Sequence, residues 1–197
     1  MEDRRIRKTK RSIRTAILEL MLEKSFDNIT VNDIATQADI NRGTFYLHYI
    51  DKYELLESIE DEMIGRFITL QKTMDISKII HENNLFQEVF IKKIMYILKE
   101  DKLFFKVMLH PSLNTTFESK FRKIIQENFE RMIDLDYIQG VPFKYYFSFI
   151  SSAQIGVIKH WVRTDMQESP EEIARFAYEM AYNGPIRLLQ QELKKKN

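Results

Sequence analysis

The sequence contains no cysteine, which excludes a disulfide framework and a thiolate metal site. Glycine and proline are also scarce, with 5 and 4 residues in a chain of 197. Apolar residues rarely alternate with polar ones, so these absences argue against a sheet protein. No apolar run approaches the roughly 20 residues that cross a bilayer, and the charged first residues are unlike a signal peptide. We therefore expect a helical, cytoplasmic protein without a membrane segment.

The chemistry of enzymes and metal sites is also missing from the sequence. The four histidines lack ligand spacing with carboxylates, so we expect no metal. There is no nucleophile elbow, phosphate-binding glycine loop or pair of catalytic carboxylates. We therefore expect no cofactor and no enzymatic activity.

Positive charge is present but unevenly placed, because the net charge is only +1. A stretch with no acidic residue inside it carries seven basic residues, namely Arg4, Arg5, Arg7, Lys8, Lys10, Arg11 and Arg14. A basic arm of this kind is typical of a segment that lies near phosphates. The alternative is a solvated, frayed terminus.

The most informative stretch, Thr30 to Tyr49, predicts two short helices joined by a tight turn. Thr30 and Asp33 have the spacing of a capping box with Asp in place of Glu. The first helix has one apolar face, made by Val31, Ile34, Ala35 and Ala38. Asp39 occupies the turn, where its tolerance of left-handed backbone is useful.

The second of these helices is predicted to present a polar side outward. Asn41 can cap it, and Phe45 and Tyr49, four residues apart, share a buried face. Arg42, Thr44, Tyr46, Leu47 and His48 are spread over the remaining surface. A short helix with an apolar back and a polar front is suited to the major groove of DNA.

Apolar residues at helical spacing predict further helices along the chain. A first helix is expected from about Arg7 to Lys24, and capping boxes at Asp51–Glu54, Thr115–Glu118 and Ser169–Glu172 mark three later starts. The later helices are expected at about 51–73, 85–100, 102–109, 115–133, 142–163 and 169–193. Gly184–Pro185 is expected to kink or break the last one. We divide the chain into a DNA-binding domain at 1–50, a connecting helix at 51–73 and a larger domain at 74–197.

This pattern resembles the TetR family of bacterial transcriptional regulators over roughly residues 7 to 67. The matching residues are Thr30, Ile34, Ala35, Ala38, Arg42, Gly43, Thr44, Tyr46, His48, Tyr49, Lys52 and Leu55. Asp39 and Tyr49 depart from the family, which usually has Gly and Phe there. The resemblance implies an all-α, nine-helix subunit with an N-terminal three-helix DNA-binding domain and a C-terminal effector and dimerisation domain.

The resemblance also implies a homodimeric repressor that binds a palindromic operator in double-stranded DNA and is released by a small ligand. The residues expected at DNA are Thr30, Asn41, Arg42, Gly43, Thr44, Tyr46, Leu47, His48 and Lys52. Gly43 would allow close backbone approach, and Lys52 would contact phosphate. The alternative for the whole set is an ordinary exposed helix face.

Two further sets of residues in the C-terminal half are candidates for partners. The last two long helices carry more apolar residues than one internal face hides, which suggests a dimer interface of Tyr146, Ile150, Ile155, Ile158, Trp161, Ala174, Ala177 and Ala181. A pocket for a small apolar or aromatic ligand is expected at Phe86, Phe90, Phe105, Met108, Phe121, Phe129, Tyr145 and Phe149. For both sets the alternative is an ordinary filled core.

Two other functions remain open from the sequence. Residues 160 to 172 resemble part of a Gram-positive subset of the family, in which at least one member type is a co-activator that works with a partner protein. The other alternative is a helical ligand-binding or partner-binding protein without DNA recognition, favoured by Asp39 in the turn and the near-neutral charge.

Overall fold

The computed structural model describes residues 4–73, 85–110, 116–132 and 136–184. Within those ranges the chain forms nine α-helices, one short 3-10 turn at Phe26–Asn28 and one hairpin, so the all-α prediction is confirmed. The helices are α1 (Arg4–Glu23), α2 (Val31–Gln37), α3 (Arg42–Tyr46), α4 (Lys52–Lys72), α5 (Leu85–Glu100), α6 (Lys102–Met108), α7 (Phe117–Met132), α8 (Phe143–Arg163) and α9 (Pro170–Asn183). The hairpin strands are β1 (Tyr137–Ile138) and β2 (Val141–Pro142).

The chain folds into two compact units, and one of them includes a segment that interrupts the sequence of the other. Unit 1 comprises Met1–Thr69 together with Leu103–Phe117, and unit 2 comprises Leu70–Lys102 together with Glu118–Asn197. The division after Thr69 falls within α4, near the end of the predicted connecting helix.

The core of unit 1 is built by α1, α4 and the aromatic residues of α6. One face of α1 is buried through Ile13, Ala16, Ile17, Leu18, Leu20 and Met21. Phe104 of α6 packs edge-on against Phe117, with ring centroids 4.9 Å apart, and the Arg14 guanidinium lies 5.6 Å from the Phe104 centroid. Phe67 of α4 packs against Phe105 at 6.2 Å. Residues far apart in sequence therefore close this core.

In unit 2, α9 packs along α5. The ammonium of Lys99 donates to the Met166 carbonyl at 2.6 Å, and the Trp161 indole N–H donates to the Glu168 carbonyl at 3.1 Å. The predicted capping box at the start of α9 is confirmed: Ser169 Oγ accepts the Glu172 N–H at 3.2 Å, and Glu172 accepts the Ser169 N–H at 2.8 Å. These bonds order the connection between α8 and α9.

The short hairpin is an addition to the all-α fold that the sequence did not predict. Tyr137 pairs with Pro142 and Ile138 with Val141 in antiparallel register. Gln139 and Gly140 both have positive φ, 52° and 76°, as a tight two-residue hairpin turn requires. Two-residue strands are too short to show alternation, so the sequence pattern did not reveal them.

Several helix boundaries differ from those predicted. α1 begins at Arg4, so the basic stretch is helical and not an extended arm. α3 ends at Tyr46, three residues before the predicted end. α9 ends at Asn183, where Gly184 adopts φ 73°. Thr115, Ile133 and residues 185–193 lie outside the described residues, and so do the predictions made for them.

Asp39 provides a test of the turn between α2 and α3. Its φ of 53° is left-handed, as predicted, and this conformation costs an L-residue roughly 1–2 kcal/mol that glycine avoids. We expect Asp39→Gly to raise the free energy of unfolding by up to about 1 kcal/mol, because glycine's freedom in the unfolded chain offsets part of the gain. Asp39→Val should lower it by about 1–2 kcal/mol. Urea unfolding measures both, and a valine variant as stable as the parent would contradict this account.

Candidate nucleic-acid interface

α2 begins with the predicted capping box, in which the N–H and hydroxyl of Thr30 both donate to Asp33. Thr30 Oγ1 accepts the Asp33 N–H at 3.1 Å, while the Thr30 N–H and hydroxyl both donate to Asp33 Oδ2 at 2.8 Å. Lys24 donates to the same oxygen at 2.8 Å and is the main reason that the pKa of Asp33 falls from 3.8 to about 2. Asp33 is therefore a firmly ionised cap, and Thr30 contributes to the cap through its own donors.

The turn and the start of α3 are held by short-range hydrogen bonds. The Ile40 N–H donates to the Ala35 carbonyl at 3.0 Å, closing the turn around Asp39. Asn41 Oδ1 accepts the Gly43 N–H at 2.8 Å, which confirms Asn41 as the cap of α3. These bonds set the direction in which α3 leaves α2.

Phe45 anchors the inner side of α3. It is fully buried, and its ring contacts those of Tyr46 and Tyr49 at 5.6 and 5.8 Å. Tyr49 is also buried, so the predicted inner face is confirmed even though Tyr49 follows the helical residues. With this side fixed, the opposite side of α3 faces outward.

The outward side contains most of the residues predicted for DNA contact. Asn41, Arg42, Gly43, Tyr46 and Leu47 are exposed, whereas Thr44 and His48 are half-buried. The Arg42 Nη2 donates to the Tyr46 hydroxyl at 3.1 Å, and the guanidinium lies 5.5 Å from the Tyr46 ring centroid. This pairing holds the guanidinium beside Tyr46 on the outward side of α3. Gly43 adds an open stretch of backbone one turn before Leu47.

Lys52 does not have the role expected for it. Its ammonium donates to the carbonyls of Phe26, Asp27 and Ile29 at 2.8, 2.9 and 2.8 Å. It also lies over the Phe26 and Tyr53 rings, 4.8 and 5.3 Å from their centroids. An ammonium has three N–H donors, and all three are used inside unit 1. The prediction that Lys52 contacts phosphate is corrected: it ties α4 to the 3-10 turn ahead of α2.

Positive charge next to α2 comes from α1. A surface groove of about 410 Å³ is lined by Lys8, Arg11, Ser12, Thr15, Ala16, Glu19, Gln37 and Ala38. Gln37 Nε2 bridges the groove to Glu19 Oε2 at 2.8 Å. Because α1 is helical from Arg4, its exposed basic residues are held on a rigid element beside α2.

The structure buries some of the residues predicted for a dimer interface and leaves others accessible to solvent. Trp161, Ala174 and Ala177 are buried within unit 2, with Trp161 only 1% exposed, so they have almost no surface left to give a partner. Their assignment to a dimer interface is therefore corrected. Tyr146 and Ala181 are exposed, and Ile150, Ile155 and Ile158 are half-buried. The sequence could not separate these groups, because all of them are apolar or small residues at helical spacing.

The residues predicted for a ligand pocket differ in their exposure to solvent. Phe105 and Met108 are buried in unit 1, whereas Tyr145 and Phe149 are exposed on unit 2. Phe90 and Phe121 are half-buried in unit 2. The side chains of Phe86 and Phe129 lie outside the described part of the structure. The pocket therefore stays a prediction, because helical spacing cannot show which core a residue joins.

Two further properties concern the described residues alone. Among the helices of residues 4–184 that are described, none is long and apolar enough to cross a membrane. Across the same ranges, no three His, Asp or Glu side chains are grouped as a metal site would need.

Two family models match the chain. One, described as bacterial regulatory proteins of the tetR family, matches residues 13–59, and the other, described as a transcriptional regulator C-terminal region, matches residues 84–183. An uncharacterised helix-turn-helix-type transcriptional regulator of Bacillus subtilis (YxbF) is 26% identical over 172 residues. The match covers 85% of this chain, which spans only 43% of that relative's length.

Solved structures share the fold at low sequence identity. A putative TetR-family regulator from Syntrophomonas wolfei has a TM-score of 0.67 at 16% identity, covering 90% of this chain and 94% of its own. A TetR transcriptional regulator from Streptococcus agalactiae has 0.62 at 22% identity, covering 90% and 96%. FadR from Bacillus subtilis, solved in complex with stearoyl-CoA, has 0.59 at 21% identity, covering 88% and 98%.

The role of Lys52 can be tested through stability. We expect Lys52→Met to lower the free energy of unfolding by roughly 2–3 kcal/mol, because three carbonyls lose a charged donor. Lys52→Arg should also be destabilising, because a planar guanidinium does not fit three converging carbonyls. Urea unfolding measures the loss, with Lys72→Arg at the exposed end of α4 as the control, expected within about 0.5 kcal/mol of the parent. If Lys52→Arg is as stable as the parent, the clamp does not have this role.

Proposed function

The chain belongs to the TetR family of bacterial transcriptional regulators, and from this premise we propose that it is a homodimeric repressor of a palindromic operator. It is a DNA-binding transcriptional regulator, as its family is, and not an enzyme. Each protomer inserts α3 into a major groove, and a small ligand releases the dimer from DNA. This activity takes place in the cytoplasm.

The observation that carries the proposal is the two-sided nature of α3. Its inner side is fixed by the buried Phe45, and its outer side presents Arg42, Tyr46 and Leu47 to solvent. The Arg42 guanidinium can donate two parallel bonds to the O6 and N7 atoms of guanine, the commonest base contact of arginine. The bond to Tyr46 already restricts the Arg42 side chain, so that side chain loses less conformational entropy when it binds guanine.

Phosphate contacts are proposed to come from α1 as well as from α3. The exposed basic residues of α1 lie beside α2, and the Tyr46 hydroxyl can donate to phosphate. Lys52 is left out of this set because its donors are used internally. Such contacts make affinity fall steeply with salt, because each neutralised phosphate releases counterions.

Dimerisation is proposed through the exposed side of α8 and α9. Tyr145 and Phe149 are four residues apart on α8, and Gly156 continues the same side with open space above its Cα. Phe176 is the exposed aromatic residue of α9. A helix-bundle interface between two protomers would cover these exposed aromatic side chains. The two α3 helices would then reach half-sites about 34–36 Å apart, or slightly more.

Release by a small ligand rests on family membership. The bound stearoyl-CoA belongs to the FadR structure, which is only 21% identical to this chain, so it does not define a ligand class here. An apolar or aromatic small molecule remains the proposed class.

Operator binding is tested by selecting duplexes from a random library and titrating them by fluorescence polarisation at fixed salt. We expect a selected duplex to bind at least about 1,000-fold more tightly than random duplex. Arg42→Ala should lose most of that preference, because it removes a base contact. Arg175→Ala, an exposed arginine on α9, is the matched control and should keep it. Equal affinity for selected and random duplex would refute the repressor and favour a binding protein without DNA recognition.

The dimer surface is tested by sedimentation velocity. Phe149 is 66% exposed, so Phe149→Arg should leave the protomer folded and introduce a charge into the proposed interface, giving monomers. Tyr137→Arg, at a similarly exposed aromatic residue on the hairpin, is the control and should remain dimeric. A dimeric Phe149→Arg variant would place the interface elsewhere. Trp161→Asp is unsuitable because a buried charge would unfold unit 2.

A further inference from the structure

The two most exposed large apolar side chains among the described residues lie three positions apart, immediately after α3. Leu47 is 80% exposed and Ile50 is 78% exposed. Residues three positions apart have Cα atoms at most roughly 11 Å from each other, and we call this exposed pair the apolar tip. A partner that covers these two side chains would gain the free energy of burying their apolar surface.

The backbone that carries the apolar tip is fixed. The Leu47 N–H donates to the Gly43 carbonyl at 3.2 Å, and the Ile50 N–H donates to the Glu54 carboxylate. Between them Tyr49 is buried against Phe45. Leu47 and Ile50 are therefore exposed although hydrogen bonds hold the backbone at both residues.

The surroundings of the apolar tip suit a duplex. Leu47 follows Gly43 by one helical turn, and nothing crowds the space above Gly43 except the Asn41 side chain at 3.4 Å. Arg42 and Tyr46 occupy the neighbouring row of α3. The carboxylates beside Ile50 accept backbone N–H groups: Asp51 caps α4 at 2.8 and 2.9 Å, and Glu54 accepts the Ile50 N–H. One oxygen of each carboxylate is thereby engaged by backbone donors of the protein itself.

We infer that Leu47 and Ile50 read thymine in the operator by packing against its C5-methyl group. Thymine is the one DNA base with an apolar group on its major-groove edge, and apolar side chains contact that methyl. This inference rests on the proposed operator binding and adds a specificity that the polar residues of α3 do not supply. The operator half-site should therefore contain thymine at a position where uracil, which forms the same hydrogen bonds, is a poorer substitute.

The test replaces each thymine of the selected duplex, one at a time, by deoxyuridine and measures affinity by fluorescence polarisation. At one or more positions the parent protein should bind the deoxyuridine duplex about fourfold more weakly, the effect of one lost methyl contact. Leu47→Ala should reduce this ratio, and the double variant Leu47→Ala with Ile50→Ala should bring it to one. The dependence of affinity on salt should stay unchanged in both, because no charge is removed.

The matched control is Leu22→Ala, at a leucine of α1 in the same unit that is 47% exposed, and it should keep the parent's thymine preference. Unfolding in urea checks that each variant retains the parent's stability, as expected for side chains that fill no core space. The inference is overturned if deoxyuridine at every thymine leaves the parent's affinity unchanged, or if the double variant keeps the ratio. If no selected duplex binds better than random duplex, the proposed operator binding itself fails.

Discussion

Burial of Phe45 is the constraint on which the DNA-facing surface depends. α3 has only five residues, too few to be stable on its own propensity, so its orientation comes from the side chain that it inserts into unit 1. Once Phe45 is fixed, the helical period decides which residues face outward. Arg42 and Tyr46 are then adjacent on one row, and Gly43 and Leu47 on the next. The chemistry available to a duplex is a consequence of this one apolar contact.

Polar residues near α3 make more hydrogen bonds within the protein than the family motif suggests. Thr30 directs its donors to Asp33, and Lys52 directs its donors to three carbonyls of the preceding turn. Both residues suit phosphate by type, yet their bonds hold α2 and α4 in place. Arg42 is different, because its partner Tyr46 is on the same exposed surface. This hydrogen-bond network therefore mainly fixes the positions of the few side chains that face outward.

The segment Leu103–Phe117, which interrupts the sequence of unit 2, gives unit 1 part of its core. Phe104 and Phe105 are separated from α1 by about 90 residues, yet they complete the apolar layer around Arg14 and Phe67. In unit 2 the strongest packing joins α5 to α9. Aromatic residues that look alike in the sequence thus differ in the unit they belong to and in how far they are buried.

The sequence by itself determined the features that depend on neighbouring residues. The capping boxes at Thr30 and Ser169, the left-handed Asp39 and the buried face around Phe45 were all predicted correctly, because their partners are within four positions. Only the tertiary structure decided which of two apolar residues on α8 is covered, Trp161 or Phe149, and that Lys52 reaches carbonyls more than 20 positions away. The helical period fixes the direction in which each side chain leaves its own helix. Whether that side chain is buried depends on which other part of the chain packs against it.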